Sequence, residues 1–150
     1  MLSLSHTLIS LPFGLAFSNP VVAFIGALLM HLVSDMPLHW NIYPENYKKY
    51  PFFLVGIDVV LGLAVSFVLL GNTMFSLSVL AAIAGGNTPD ALHAFWKFMS
   101  LKKRKSMPRF IQNVFAFHEN IQWETESPLV GGLSQVLFCA VAIALTISLR

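Results

Sequence analysis

Long apolar stretches alternate with short polar ones along this chain, and the boundaries fall where glycine, proline or asparagine interrupts. A helix needs about 20 mostly apolar residues to cross the roughly 30 Å hydrocarbon core of a bilayer. Four stretches approach that length, at residues 20–38, 51–71, 75–100 and 128–149. A fifth, residues 4–17 (LSHTLISLPFGLAF), falls short and carries Pro12 and Gly14, so it reads as a brief span or a re-entrant segment. Asn19 and Pro20 turn the chain, Pro37 ends the second span, and Gly71, Asn72 and Thr73 follow the third. The pattern predicts an all-α, polytopic membrane helix bundle of four or five transmembrane helices, one integral membrane domain over residues 1–150.

The fourth stretch contains "GGNTPD", in which paired glycines end one helix while Thr88, Pro89 and Asp90 read as the cap, first-turn proline and first-turn acid of another. One broken helix is therefore expected. Its fresh N-terminus would offer backbone amides to an anion, with Asn87 and Thr88 as substrate-binding candidates. Residues 101–127 form a polar segment in which an amphipathic interfacial helix begins near Pro108, anchored by Phe110, Phe115 and Trp123.

Composition sharpens the membrane reading: 56% of residues are apolar and 11% charged, against roughly 25% charged in soluble domains. Lys48 and Lys49 follow the second stretch, and Lys102, Lys103, Arg104, Lys105 and Arg109 follow the fourth, so both loops fall on one side, the cytoplasm. Trp40, Tyr43, Tyr47 and Tyr50 supply an interfacial aromatic belt there. With a net charge of only +2, the KKRK run reads as a topology signal and lipid anchor, so no nucleic-acid partner is expected. "MLSLSHTLIS" lacks a basic start and a cleavage pattern, and its segment is expected to be retained. The expected location is the cytoplasmic membrane of a bacterium or archaeon. A single cysteine, Cys139, excludes a disulfide framework or a thiolate cluster within one chain.

Ionisable residues inside membrane segments mark function by default, and here they gather in one layer on the cytoplasmic side. His6 begins the first segment, His31 and Asp35 close the second, Asp58 lies early in the third, and Asp90 and His93 lie late in the fourth. His118, Glu119 and Glu124 sit in the loop beyond. His31 and Asp35, four apart, share a helix face at a spacing that suits two ligands of one ion. Pro37 intervenes before His39, which is expected to turn toward the headgroups. Imidazoles and carboxylates without thiolate suit zinc first, with manganese or iron(II) as alternatives. The expected metal ligands are His6, His31, Asp35, Asp90 and His93, and the expected proton-handling catalytic residues are Asp58, His118 and Glu119.

At "HLVSD" and "TPDALH" the chain resembles the small bacterial integral-membrane proteins termed membrane-bound predicted metal-dependent hydrolases, which share motif style with zinc-dependent phospholipase C. Those proteins carry an early histidine, a "PDxDH" motif and an "HLLLD"-like motif. His6 matches the first, Pro89, Asp90 and His93 the second, and His31 with Asp35 the third, while Leu92 replaces the second aspartate and the motif order is swapped. The resemblance implies a divalent-metal site at the membrane surface. Together these features point to an enzyme, a hydrolase of an ester or phosphoester in a lipid or lipid-like substrate. A proton or metal transporter and a non-enzymatic assembly subunit are the alternatives.

Overall fold

The computed structural model of the chain describes residues 1–42 and 52–150. Tyr43, Tyr47 and Tyr50 of the expected aromatic belt, and Lys48 and Lys49 of the expected charge signal, lie outside the described residues. Among the described residues the fold is all-α. Its helices are α1 (Ser3–Ala16), α2 (Pro20–Asp35), α3 (Phe53–Leu70), α4 (Leu77–Phe98), α5 (Leu101–Ser106), α6 (Arg109–Ile121) and α7 (Pro128–Ser148), with a 3-10 turn over Gly71–Phe75.

Local chemistry sets the helix ends. The Asn19 side chain accepts from the backbone nitrogens of Val21 at 2.9 Å and Val22 at 3.4 Å, and Pro20 opens α2 with its fixed φ. Gly71 closes α3 at φ 55°, a left-handed value that a side chain would resist. Ser127 and Pro128 start α7 in the same way, the Ser127 side chain accepting from the Val130 backbone nitrogen.

The shortest of the long segments, α1, is the hub: it packs against α2, α3, α4 and α7. Helices approach closely where side chains are small, and Ser5, Thr7, Ser10 and Gly14 are all buried along it. Leu8 and Leu11 of α1 meet Leu70, Met74, Val79 and Ile83 in the largest apolar cluster. Smaller apolar clusters form around Ile9 and Ala142 and around Ala23, Ala27 and Ala82; the interior also holds His6, His31, Ser34, Asp35, Ser66, Gln135 and Thr146, while Val21, Ile25, Leu29, Val60, Val68, Leu133 and Ile147 face outward.

Among the described residues two helical stretches, Phe53–Phe75 and Pro128–Ser148, are long and apolar enough to cross a membrane. Helix α2 is also apolar but has 16 residues, about 24 Å of helix.

The break expected at "GGNTPD" is absent, and α4 continues as one helix with Pro89 inside it. The glycines act as contact points instead: a Cβ on Gly85 would run into the Phe24 carbonyl oxygen of α2, and one on Gly86 into Ser10 Oγ of α1. Around the proline, side chains bond back along the helix, Thr88 Oγ1 to the Ala84 carbonyl at 2.7 Å and Asn87 Nδ2 to that of Ile83 at 2.9 Å. No fresh helix start exists there, so the amides of Asn87 and Thr88 form no anion cradle.

Candidate metal centre

Three helices of the hub deliver the central side chains to one end of the bundle. His6 comes from the first turns of α1, His31 and Asp35 from the last turns of α2, and Asp90 from the second half of α4. One ligand atom from each lies within 4.8 Å of the others, and this group could hold a metal ion. His6, His31 and Asp35 are fully buried, whereas the Asp90 side chain is 31% exposed and closes the group on one side.

The separations are short. His6 Nε2 lies 3.2 Å from Asp35 Oδ1 and 3.4 Å from Asp90 Oδ2, and His31 Nε2 lies 3.2 Å from Asp35 Oδ2 and 3.6 Å from Asp90 Oδ1. Donors about 2.1 Å from one ion stand about 3.4 Å apart in a tetrahedron and about 3.0 Å apart as octahedral neighbours. Three of the four separations fall in that range, and the fourth, His31 to Asp90 at 3.6 Å, lies just above it.

The far ring nitrogens explain why the near ones are free. His31 Nδ1 is 2.7 Å from the Gly86 carbonyl, which can only accept, so Nδ1 carries the proton and Nε2 keeps its lone pair. Ser34 Oγ donates to the His31 carbonyl at 2.9 Å and so accepts from His6 Nδ1 at 3.4 Å, leaving His6 Nε2 bare as well. Metal-bound histidines are oriented in this way, by an acceptor on the second nitrogen. Two bare nitrogens facing two carboxylates make a cluster rich in acceptors. The amino nitrogen of Met1 reaches one corner, 2.6 Å from Asp35 Oδ1.

His118 joins this group from α6. Its Nε2 is 3.1 Å from His31 Nε2 and 3.8 Å from both Asp35 Oδ2 and Asp90 Oδ1. Gln122 Nε2 lies 3.3 Å from the same His118 nitrogen and donates to Asp35 Oδ2 at 3.1 Å. Helix α6 is seated by Phe115, whose ring stacks on Trp96 of α4 at 4.4 Å. Burial holds the His118 imidazole down at about 4 against the opposing pull of the Asp90 carboxylate, so it is neutral and able to ligate above that pH. The sequence suggested a proton-handling role for this residue; the amphipathic period of α6 could not show which buried residue faces α2.

The remaining sequence candidates lie elsewhere. His93 is buried beside His118, with ring centroids 5.1 Å apart, but is outside the four-residue group, and among the described residues neither of its ring nitrogens has a partner. Asp58 is engaged by the start of α1, accepting from the backbone nitrogens of Ser3 at 2.6 Å and Leu4 at 3.2 Å. It caps that helix from α3 and so helps to position His6. Asn87 accepts from Ser3 Oγ at 2.6 Å and donates to Thr7 Oγ1 at 3.1 Å. Glu119 points outward and is exposed. His39, expected at the headgroups, is fully buried.

A cavity of about 300 Å³ opens onto the group. Asn87, Asp90, His93, Lys97 and Glu124 form its polar wall, and Phe52, Val55, Val59 and Phe98 its apolar one. No protein-family model, curated protein or solved structure matches the chain.

Proposed function

We propose that the protein is a membrane-embedded, metal-dependent hydrolase that cleaves an ester or phosphoester of a lipid or lipid-like substrate. The observation that carries this reading is the convergence of two bare imidazole nitrogens, from His6 and His31, with the carboxylates of Asp35 and Asp90, the His118 ring beside them and an open cavity alongside. The motif resemblance at "HLVSD" and "TPDALH" supports it. The donors are nitrogen and oxygen only, which favours zinc, then manganese or iron(II). A bound ion of this kind lowers the pKa of its water toward neutrality and polarises the scissile bond.

The chain's own residues supply the rest. Asp90, partly open to the cavity, places the ligand set where a substrate can reach it. His93 offers two unpaired ring nitrogens to an oxygen of the bound molecule. Lys97 would oppose a negative charge, while Phe52, Val55, Val59 and Phe98 accommodate an acyl chain.

The lipid surroundings are inferred from the distribution of polarity. Candidate spans Phe53–Phe75 and Pro128–Ser148 are each only 22% buried, whereas the core helix of a soluble protein is mostly covered. The polar side chains turn inward and the large apolar ones outward, as a hydrocarbon solvent requires. In this reading α1, α2 and α4 complete a bundle with these two candidate spans. Helix α6 lies at the interface with Phe110, Val114 and Phe117 outward, beside the basic run at Lys102 to Lys105 on the cytoplasmic side.

A transport path would need polar groups through the bundle. The cavity between α1, α2 and α7, about 220 Å³, is lined by Ile9, Pro12, Phe13, Met30, Phe138 and other apolar residues, which favours hydrolysis over transport. The test is release of headgroup or phosphate from mixed phospholipid vesicles containing the purified protein, with zinc or with chelator. Turnover that needs the metal and disappears in His31→Ala is expected. Zinc flux across the vesicle wall without turnover would replace this reading with transport.

A further inference from the structure

Two loops meet beside the centre. The segment after α2 runs parallel to the one after α6, with His39 N donating to the Trp123 carbonyl at 2.9 Å and Thr125 N to the His39 carbonyl at 2.9 Å. That pairing brings the side chains of His39 and Glu124 together. His39 is fully buried, and its Nδ1, 2.9 Å from the Pro37 carbonyl oxygen, must carry the ring proton. Its Nε2 is therefore a bare lone pair, and among the described residues it has no hydrogen-bond partner. It faces Asp35 Oδ1 at 3.8 Å and Glu124 Oε1 at 4.0 Å, both acceptors. An unpartnered acceptor buried against two carboxylates leaves a gap that fits a cation.

We infer that His39, Glu124 and Asp35 Oδ1 form a second divalent-metal site, joined to the first through Asp35 as a bridging carboxylate. This inference rests on the metal centre proposed above. Asp35 Oδ2 faces His31 and His118, while Oδ1, which accepts from the Met1 amino group at 2.6 Å and lies 3.2 Å from His6 Nε2, also faces His39, so an ion on that side would take the place of the amino group. Ions on the two sides of such a bridge would stand about 3.5–4 Å apart, the spacing with which paired metals clamp a phosphoester. With donors about 2.1 Å from the ion, the observed separations correspond to wide angles of about 130–145°, leaving room for water or substrate. Asn41 Nδ2 donates to Glu124 Oε1 at 3.2 Å and holds that carboxylate in place, as outer-shell partners do. Glu124 also lines the cavity, so the second ion would face it.

Elemental analysis of the purified full chain after zinc loading and desalting tests the inference. The unmodified protein should carry about two ions per chain, and His39→Ala and Glu124→Gln about one each. Glu124→Gln keeps shape at a partly exposed position, and so reports even if His39→Ala fails to fold. In manganese-loaded protein, electron paramagnetic resonance should show an exchange-coupled pair that becomes an isolated-ion signal in Glu124→Gln. One ion in the unmodified protein and in both variants overturns the second site and leaves the first. No ion in the unmodified protein overturns both.

Discussion

Asp90→Asn separates a metal ligand from a structural ion pair, because the substitution keeps the side chain's shape and removes only its charge. If the protein binds zinc through Asp90, zinc at 100 times its dissociation constant stabilises the folded state by about 2.7 kcal/mol. For a chain of this size that is a rise of roughly 5–11 °C in melting temperature. Loss even of an outer-shell partner weakens metal binding by about 10–100-fold, and loss of a direct ligand should reach the upper figure. At the same zinc concentration a 100-fold loss leaves about 0.4 kcal/mol, a shift of about 1–2 °C. In chelator the variant should melt close to the unmodified protein. Asp90 is 31% exposed, and partly solvated ion pairs contribute about 1 kcal/mol or less. The new amide can also donate to the bare nitrogen of His31. The assay is thermal unfolding of both proteins, with zinc and with chelator. A variant that keeps the full zinc-dependent shift, or that loses about 3–5 kcal/mol in chelator as a broken buried pair would, refutes the reasoning.

Three further outcomes follow from particular contacts. Gly86→Ala, whose Cβ would strike Ser10 Oγ near the carbonyl that orients His31, should cost about 1–3 kcal/mol and weaken zinc binding in calorimetry; Gly132→Ala, with open space around it, should do neither. Asp58→Asn turns one acceptor at the start of α1 into a donor facing a backbone N–H, and should lower stability by about 1–3 kcal/mol with metal content retained. Lost turnover at unchanged stability would instead return Asp58 to a catalytic role. Burial holds His118 at about 4 and also lowers His39, whereas unfolded histidines titrate near about 6.5. Metal-free protein should therefore lose stability as pH falls from about 6.5 toward 4, since the unfolded chain takes up protons that the folded one refuses. Denaturant unfolding across that window checks the direction, and zinc should move the loss to lower pH.

Much of the site was legible because helical spacing is a local property. His31 and Asp35 share a face by their separation of four, and the crowding of scarce ionisable groups at one depth already pointed to their meeting. The failures are tertiary. Paired glycines beside a proline read locally as a break, yet here they are the flat places where α1 and α2 press on α4. The length of residues 4–17 suggested a marginal segment, and nothing local shows that a short helix rich in serine and threonine is the one the others surround. His118 reaches the centre because Phe115 docks on Trp96, and His39 because two loops pair in register; neither event leaves a periodic signature.

X-ray absorption at the zinc edge, on zinc-loaded protein in detergent or bilayer, tests the central claim most directly. The account predicts nitrogen and oxygen neighbours at about 2.0–2.2 Å, with the outer-shell scattering of imidazole rings, reduced in His31→Ala. Absence of bound zinc, or a spectrum without imidazole that His31→Ala leaves unchanged, would contradict it.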